Sequence, residues 1–228
     1  MALAGKAVMI NWSNVAPEHR DQYYDWHDRE HIAGRLTVPG FLRGRRHLAI
    51  DADRDIFNMY EVLDLGVLTG EDYTRLTRNP SEATRATSKF IVDAFRALAR
   101  VRYSAGKGVG ACVQTLRLEA QPGAQDSLET FLCGAALPAL SMSPGVVAVH
   151  LCVADQAASG VVSPERKDRP TIVPGLAVIV EGTTVAAVRK AVDAGLPADR
   201  VRQHGADDTY ISGSYGLQIL MTREDIGR

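Results

Sequence analysis

The strongest constraint on the fold is that the 228-residue chain resembles itself, since a repeated unit settles how many elements there are and how they divide. Shifted by 105 positions, Pro17 falls on Pro122, Asp21 on Asp126, Trp26 on Phe131, and Pro39-Gly40 on Pro144-Gly145. In the first half, residues 7–13 read as a strand and Pro17 to about Leu36 as a helix, opened by Asn14 or by the first-turn proline. Pro39-Gly40 stops that helix. Residues 41–50 and 56–65 read as strands joined by the DADRD turn. A long helix is expected from Glu71 to about Ala99, broken near Asn79-Pro80, and then a short strand over 101–106.

The second half repeats this order, with strands over 112–120, 145–154, 175–182 and 209–220 and helices over 125–140 and 184–194. Each half is then β-α-β-β-α-β, the ferredoxin-like unit, whose helices cover one sheet face and leave the other in need of a partner. The expected fold class is α+β: two such repeats, 1–108 and 109–228, packed sheet to sheet as an intramolecular barrel with helices outside. The second repeat carries an insertion over 154–174, which reads either as a plain hairpin loop or as a flap over a cavity mouth.

Composition narrows the class of partner. Hydrophobic residues at 46% and charged residues at 23% suit a soluble domain with a sizeable core. A net charge of −1 from 26 basic and 27 acidic residues supplies no field for a polyanion, so nucleic acid is not an expected partner. Cys112, Cys133 and Cys152 are odd in number and lack metal-ligand spacing, which fits free thiols in a reducing compartment. The N-terminal apolar run is too short for a signal peptide, and no window approaches the ~20 apolar residues of a membrane span. A cytoplasmic protein without membrane contact is expected, and a homodimer is the open expectation for assembly.

The chemistry-bearing residues concentrate in YYDWHDREHIAGRLTVPGFLRGRRH (23–47). His27 and His31, four residues apart, share a helix face, flanked by Asp28 and Glu30. On a continuous helix Arg20, Tyr24, His27, Asp28, His31 and Arg35 form one stripe opposite Trp26, Ile32 and Leu36, which sends both histidines to solvent. A functional reading therefore requires the helix to end near Glu30, with Gly34 allowing it, so that His31 turns to the barrel mouth. His31 is then a better candidate base than His27, with Glu30 or Asp28 orienting it. In the next strand, alternation sends Arg45 and His47 into the barrel, where an unpaired cation is costly; Glu61 or an anionic ligand should neutralise Arg45. Asn11, Asn58 or Tyr60, and Tyr103 are candidates to add polar groups to the same cavity. In the second half His27, Glu30 and His31 align with Leu132, Ala135 and Ala136, so the chemistry belongs to the first half alone.

The run WHDREHI, the following VPGF and the basic RGRR strand resemble the EthD-like branch of the dimeric α+β barrel superfamily. The resemblance is specific over residues 20–47, and Ala33 stands where the family pattern commonly has proline. It implies a barrel, which single-repeat relatives close by dimerising and a duplicated chain closes alone. The superfamily includes cyclases, monooxygenases, isomerases and haem-using enzymes, so it does not choose a reaction.

The leading expectation is a cofactor-independent enzyme acting on a small anionic or phenolic organic molecule by isomerisation, cyclisation or decarboxylation. His31 would move the proton, with His27, Glu30 and Asp28 around it. Arg45 would hold a carboxylate or enolate, with His47, Tyr60, Asn11, Tyr103 and Trp26 as further substrate-binding candidates. No GxGxxG motif opens a helix, so neither flavin nor nicotinamide is expected. A haem or metal site on His27 and His31 is one alternative, although HExxH is absent and no third ligand stands out, so no metal ligand is assigned. A non-catalytic binding or assembly protein is the other.

Overall fold

The period-two runs of the sequence become strands, and the computed structural model, which describes residues 3–162 and 171–227, joins eight of them into a closed antiparallel barrel. In chain order the first half comprises β1 (Ala7–Val15), α1 (Arg20–Trp26), a π-helical turn (His27–His31), α2 (Ile32–Thr37), β2 (Phe41–Asp51), β3 (Ile56–Val62), α3 (Leu65–Thr69), α4 (Glu71–Arg78), α5 (Glu82–Ser88) and β4 (Ile91–Gly106). The second comprises β5 (Cys112–Ala120), α6 (Gln125–Phe131), a second π-helical turn (Leu132–Ala136), α7 (Leu137–Ser141), β6 (Val146–Ala154), α8 (Gln156–Gly160), β7 (Thr171–Ile172), β8 (Leu176–Gly182), α9 (Val185–Gly195), α10 (Ala198–Gln203) and β9 (Ala206–Thr222).

Within the first half the strand order is β4-β1-β3-β2, and within the second β9-β5-β8-β6. The two sheets are stitched edge to edge. β9 runs alongside β5 and then continues along β2, while β4 leaves β1 to pair with β6. Their lengths, 16 and 17 residues, are what let one strand serve two sheets. No edge strand is left in the barrel, which removes the pairing hazard of an open sheet.

One helix expected from sequence is corrected here. Residues 91–99 are strand, not the end of a helix from Glu71, because helical structure stops at Ser88. Alanine, leucine and arginine in FRALAR favour a helix locally, but Phe95, Ala97 and Ala99 alternate into a buried cluster with Val8, Ile10 and Trp12. Strand pairing with β1 outweighs that local preference.

The barrel interior is occupied by large side chains. Trp12 stacks on Phe57 at 5.0 Å between ring centroids, and its indole N–H donates to Thr115 Oγ1 at 3.1 Å. Separate apolar clusters fill the space between the outer sheet face and the helices, one under α2–α4 and one under α6, α7 and α9. Among the described residues no helix is long and apolar enough to cross a membrane.

Candidate functional site

The helix that carries the two histidines does not end near Glu30. It passes through a π-helical turn, in which the Ile32 N–H donates to His27 O five residues back, and then continues to Thr37. The extra residue re-phases the helix. Its buried positions are Tyr23, Trp26 and His27, then Ile32, Arg35 and Leu36. That spacing of five across the turn is what a regular 3.6-residue period cannot supply. Both expectations for the histidines are thereby corrected: His27, not His31, is the deeper ring, 1% exposed, and His31 is half-buried. On β2, Gly44 permits the close approach, since a Cβ there would meet Ile32 Cγ2 at 2.7 Å.

The histidines face a cavity of about 80 Å³ between the helices and the outer face of the sheet, not the barrel interior. Asn11, Trp26, His27, His31, Asn58 and Tyr60 line it, so six of the expected residues are brought together. The His27 ring stacks between Tyr23 at 5.2 Å and His31 at 5.3 Å. Its Nε2 lies 3.0 Å from the Tyr60 hydroxyl, while Nδ1 is buried without a hydrogen-bond partner. Burial, then the nearby His31, Arg46 and Arg35, holds His27 well below the ordinary histidine range, so the ring is neutral. Asn58 donates through Nδ2 to the Tyr23 hydroxyl at 3.0 Å, and its Oδ1 is buried and unpartnered. Burial pushes the Tyr23 phenol up to about 12, keeping it protonated.

The carboxylates have other duties. Asp28 forms an ion pair with Arg46 at 2.6 Å, beneath Tyr24, whose ring lies 4.7 Å from the guanidinium. Glu30 accepts from Ser81 Oγ and, at 3.2 Å, from Thr84 Oγ1. Trp26 Nε1 donates to the same threonine hydroxyl at 3.2 Å. Glu30 thus ties the π-turn to the start of α5, and neither acid is seen to orient a histidine.

Arg45, His47 and Tyr103 lie elsewhere. Arg45 is fully buried inside the barrel, 3.0 Å from Glu61 and 2.9 Å from Glu181. Glu181 also accepts the Gly110 N–H at 2.8 Å and lies 3.2 Å from His150 Nε2. Although burial pushes Glu181 up, the His150 hydrogen bond and the charge of Arg45 bring its carboxyl down to about 2. The expectation that Glu61 would neutralise Arg45 is met, with Glu181 as a second acid. His47 Nδ1 lies 3.4 Å from Phe57 O in the same interior. Burial, then Arg45, lowers its imidazole to about 3. Tyr103 follows a break in strand register after Val101 and packs with the apolar cluster of the second half, so it joins neither group.

Arg96, which sequence reading passed over, stands on the cavity wall. It is 7% exposed, its Nη2 lies 3.3 Å from Met9 Sδ, and its Nη1 is buried without a partner. With residues 91–99 expected to be helical, nothing pointed it toward Asn11; strand pairing sets Arg96 directly opposite that residue. Arg35 is the second buried cation of the cavity, its guanidinium 5.5 Å from the Tyr73 ring. Among the described residues lining the cavity there is no carboxylate.

Of the insertion, residues 163–170 lie outside the described residues. The remainder is anchored to β4: Ser159 Oγ accepts the Leu98 N–H at 2.9 Å, and Thr171–Ile172 pair in parallel with Ala94–Phe95. Thr171 lines the histidine cavity, so the second half helps to enclose a site built by the first.

A closed eight-stranded antiparallel α+β barrel with a helix-covered cleft defines the class of protein at the level of fold. Among solved structures the chain is similar to an anthrone oxidase-like protein, at 13% identity and TM-score 0.64, covering 98% of this chain and 96% of that one. It is also similar to a candidate monooxygenase of Fusobacterium nucleatum (10% identity, TM-score 0.62, 96% of each chain) and to a candidate chlorite dismutase (13%, 0.58, 99% and 98%). These neighbours belong to the dimeric α+β barrel and chlorite dismutase-like group, and at such identities the likeness is one of fold. No family model and no curated protein matches the chain.

The haem and metal alternatives can be tested on the cavity itself. A space of about 80 Å³ is far below the ~300 Å³ of even a small drug-sized pocket, and His27 Nε2 already faces Tyr60. The residues present do not fit a macrocycle. Among the described residues no group of three or more His, Cys, Asp or Glu side chains is arranged to hold a metal ion.

Proposed function

We propose that the chain is an enzyme performing general acid–base chemistry on a small anionic or phenolic organic molecule held between the helices and the outer sheet face of its first half. One observation carries the reading: His27 Nδ1, Asn58 Oδ1 and Arg96 Nη1 are all buried and unpartnered around a single cavity. Each such atom costs about 1–3 kcal/mol, and a ligand offering a proton, a hydroxyl and a negative charge would satisfy all three. Two or three waters, at roughly 30 Å³ each, are the bland occupants.

The chemistry follows from the charges. In the tautomer that donates Nε2–H to the Tyr60 oxygen, Nδ1 turns a lone pair to the cavity. Burial makes this ring a weak base, but a bound anion opposes that effect and restores its basicity as the proton arrives. Arg96, with Arg35, would hold the carboxylate or the developing enolate or phenolate. His31, at the half-buried rim, would pass the proton onward. Such an enolate can be reprotonated elsewhere, attack an internal carbonyl or arise by loss of carbon dioxide, which are the isomerisation, cyclisation and decarboxylation outcomes. The WHDREHI run supports an EthD-like affiliation. Two π-helical turns 105 residues apart, starting at His27 and Leu132, support descent of the halves from one duplicated unit.

The test is hydrogen exchange. A panel of small enolisable keto acids is incubated with the protein in D2O and followed by NMR. Exchange at the acidic carbon should be accelerated, and His27→Gln should slow it by roughly 10²–10⁴-fold. Compounds that bind without any acceleration over buffer would instead make this a non-catalytic binding protein.

A further inference from the structure

A second cavity, of about 190 Å³, adjoins the first, and Tyr73 and Arg96 line both. The two differ in chemistry. The first is walled by histidines, asparagines and tyrosines, whereas the second is walled by Leu68, Leu98, Ala158 and the threonines of α4, with the exposed Arg78 at its edge. Like the first, the second has no carboxylate among its described lining residues. Arg96 therefore stands in the shared wall with a buried, unpartnered Nη1 and only a thioether beside Nη2. A thioether is a weak acceptor, so among the described residues no protein group neutralises the cation there.

The geometry points to a two-part ligand: an organic acid whose anionic group sits on Arg96 and whose apolar tail fills the second cavity. This rests on the reading of the cleft as a substrate site and adds the class of substrate. An apolar cavity of about 150 Å³ takes up benzene, so about 190 Å³ accommodates a phenyl ring or an alkyl chain of similar bulk. Ala158, Val161 and Val162 of the insertion form part of the tail cavity, so the second half contributes to tail selection.

The experiment is calorimetric titration of the full chain with straight-chain carboxylates from acetate to decanoate. Affinity should climb about fourfold per added methylene and level off near six to eight carbons, where a benzene-sized volume is filled. Arg96→Gln should weaken every member by a similar factor of tenfold or more. Ala158→Phe, which fills the tail cavity from a half-buried position, should flatten the dependence on length while leaving acetate binding intact. Thr74→Phe, also half-buried, repeats that test if the first variant folds poorly. Affinity that does not change with chain length, or a slope untouched in both filled variants, overturns the proposal. Because binding is the readout, the two readings separate. A normal slope without catalysed exchange sinks the acid–base reading alone, and catalysed exchange without a slope sinks the tail alone.

Discussion

The Tyr60 hydroxyl, carried by β3, lies 3.0 Å from His27 Nε2, carried by the π-helical turn, and so one barrel strand holds a ring on the helix above it. Replacing Tyr60 by phenylalanine leaves a buried imidazole nitrogen without that partner. Tyr60→Phe should lower stability in urea by about 1–3 kcal/mol and slow exchange of a bound enolisable acid. A variant exchanging at the original rate would show that the phenol does not orient the base.

Acid should destabilise the protein through its buried histidines. His47 falls to about 3 in the folded chain, by burial and then by Arg45, and His27 is also depressed, whereas an unfolded histidine titrates near 6.5. Below 6.5 the unfolded state binds the extra protons, so stability is complete above that pH. It should decline as pH falls, by about 1.4 kcal/mol per unit for each such ring, until the folded value is reached near 3 for His47. Glu181, held down to about 2, adds a further loss below the ordinary carboxylate value of 4.5. Melting temperatures from pH 7 to 4 should show the decline, and His47→Leu should make it shallower.

Arg96→Met should stabilise the fold while damaging the cleft. Methionine keeps similar bulk and removes a buried cation whose two cavities have no carboxylate among their described lining residues, which should raise stability by about 1 kcal/mol or more. Carboxylate binding should weaken at least tenfold. A lower melting temperature would mean that the guanidinium supports the fold.

Arg45→Met should do the reverse. Its charge is shared by Glu61 and Glu181 inside the barrel, and removing it leaves two buried acids, held by Arg43 at 2.7 Å, His150 at 3.2 Å and the N–H groups of Ala4 and Gly110. A loss of about 3–5 kcal/mol is expected from denaturant unfolding, with carboxylate affinity of the folded fraction unchanged. Weakened carboxylate binding without loss of stability would return Arg45 to the substrate site.

What could be read ahead of the structure was what repeats locally. Alternation along 41–50 correctly sent Arg45 inward, and Pro39-Gly40 marked the helix end, because turns and strand faces depend on neighbouring residues. The residues lining the cleft were largely in view as well, but in the wrong place. A helical wheel assumes one phase throughout, and the π-turn breaks it, so His27 was assigned to solvent. The buried stripe of Tyr23, Trp26 and His27 against Ile32, Arg35 and Leu36 carries that phase break in the sequence. Arg96 was lost for a different reason. FRALAR has the composition of a helix, and only pairing with β1 shows that it is a strand.

By itself, then, the sequence determined the order of elements in each half and the gathering of unusual side chains into one segment, since both follow from periodicity and turn chemistry along the chain. Tertiary structure decided that the barrel encloses Arg45 with its acids while the histidines look out at a helix-covered cleft. Which side of a sheet a helix closes over, and which distant strand lines up beside it, depends on contacts between residues far apart in sequence. No local pattern encodes those contacts.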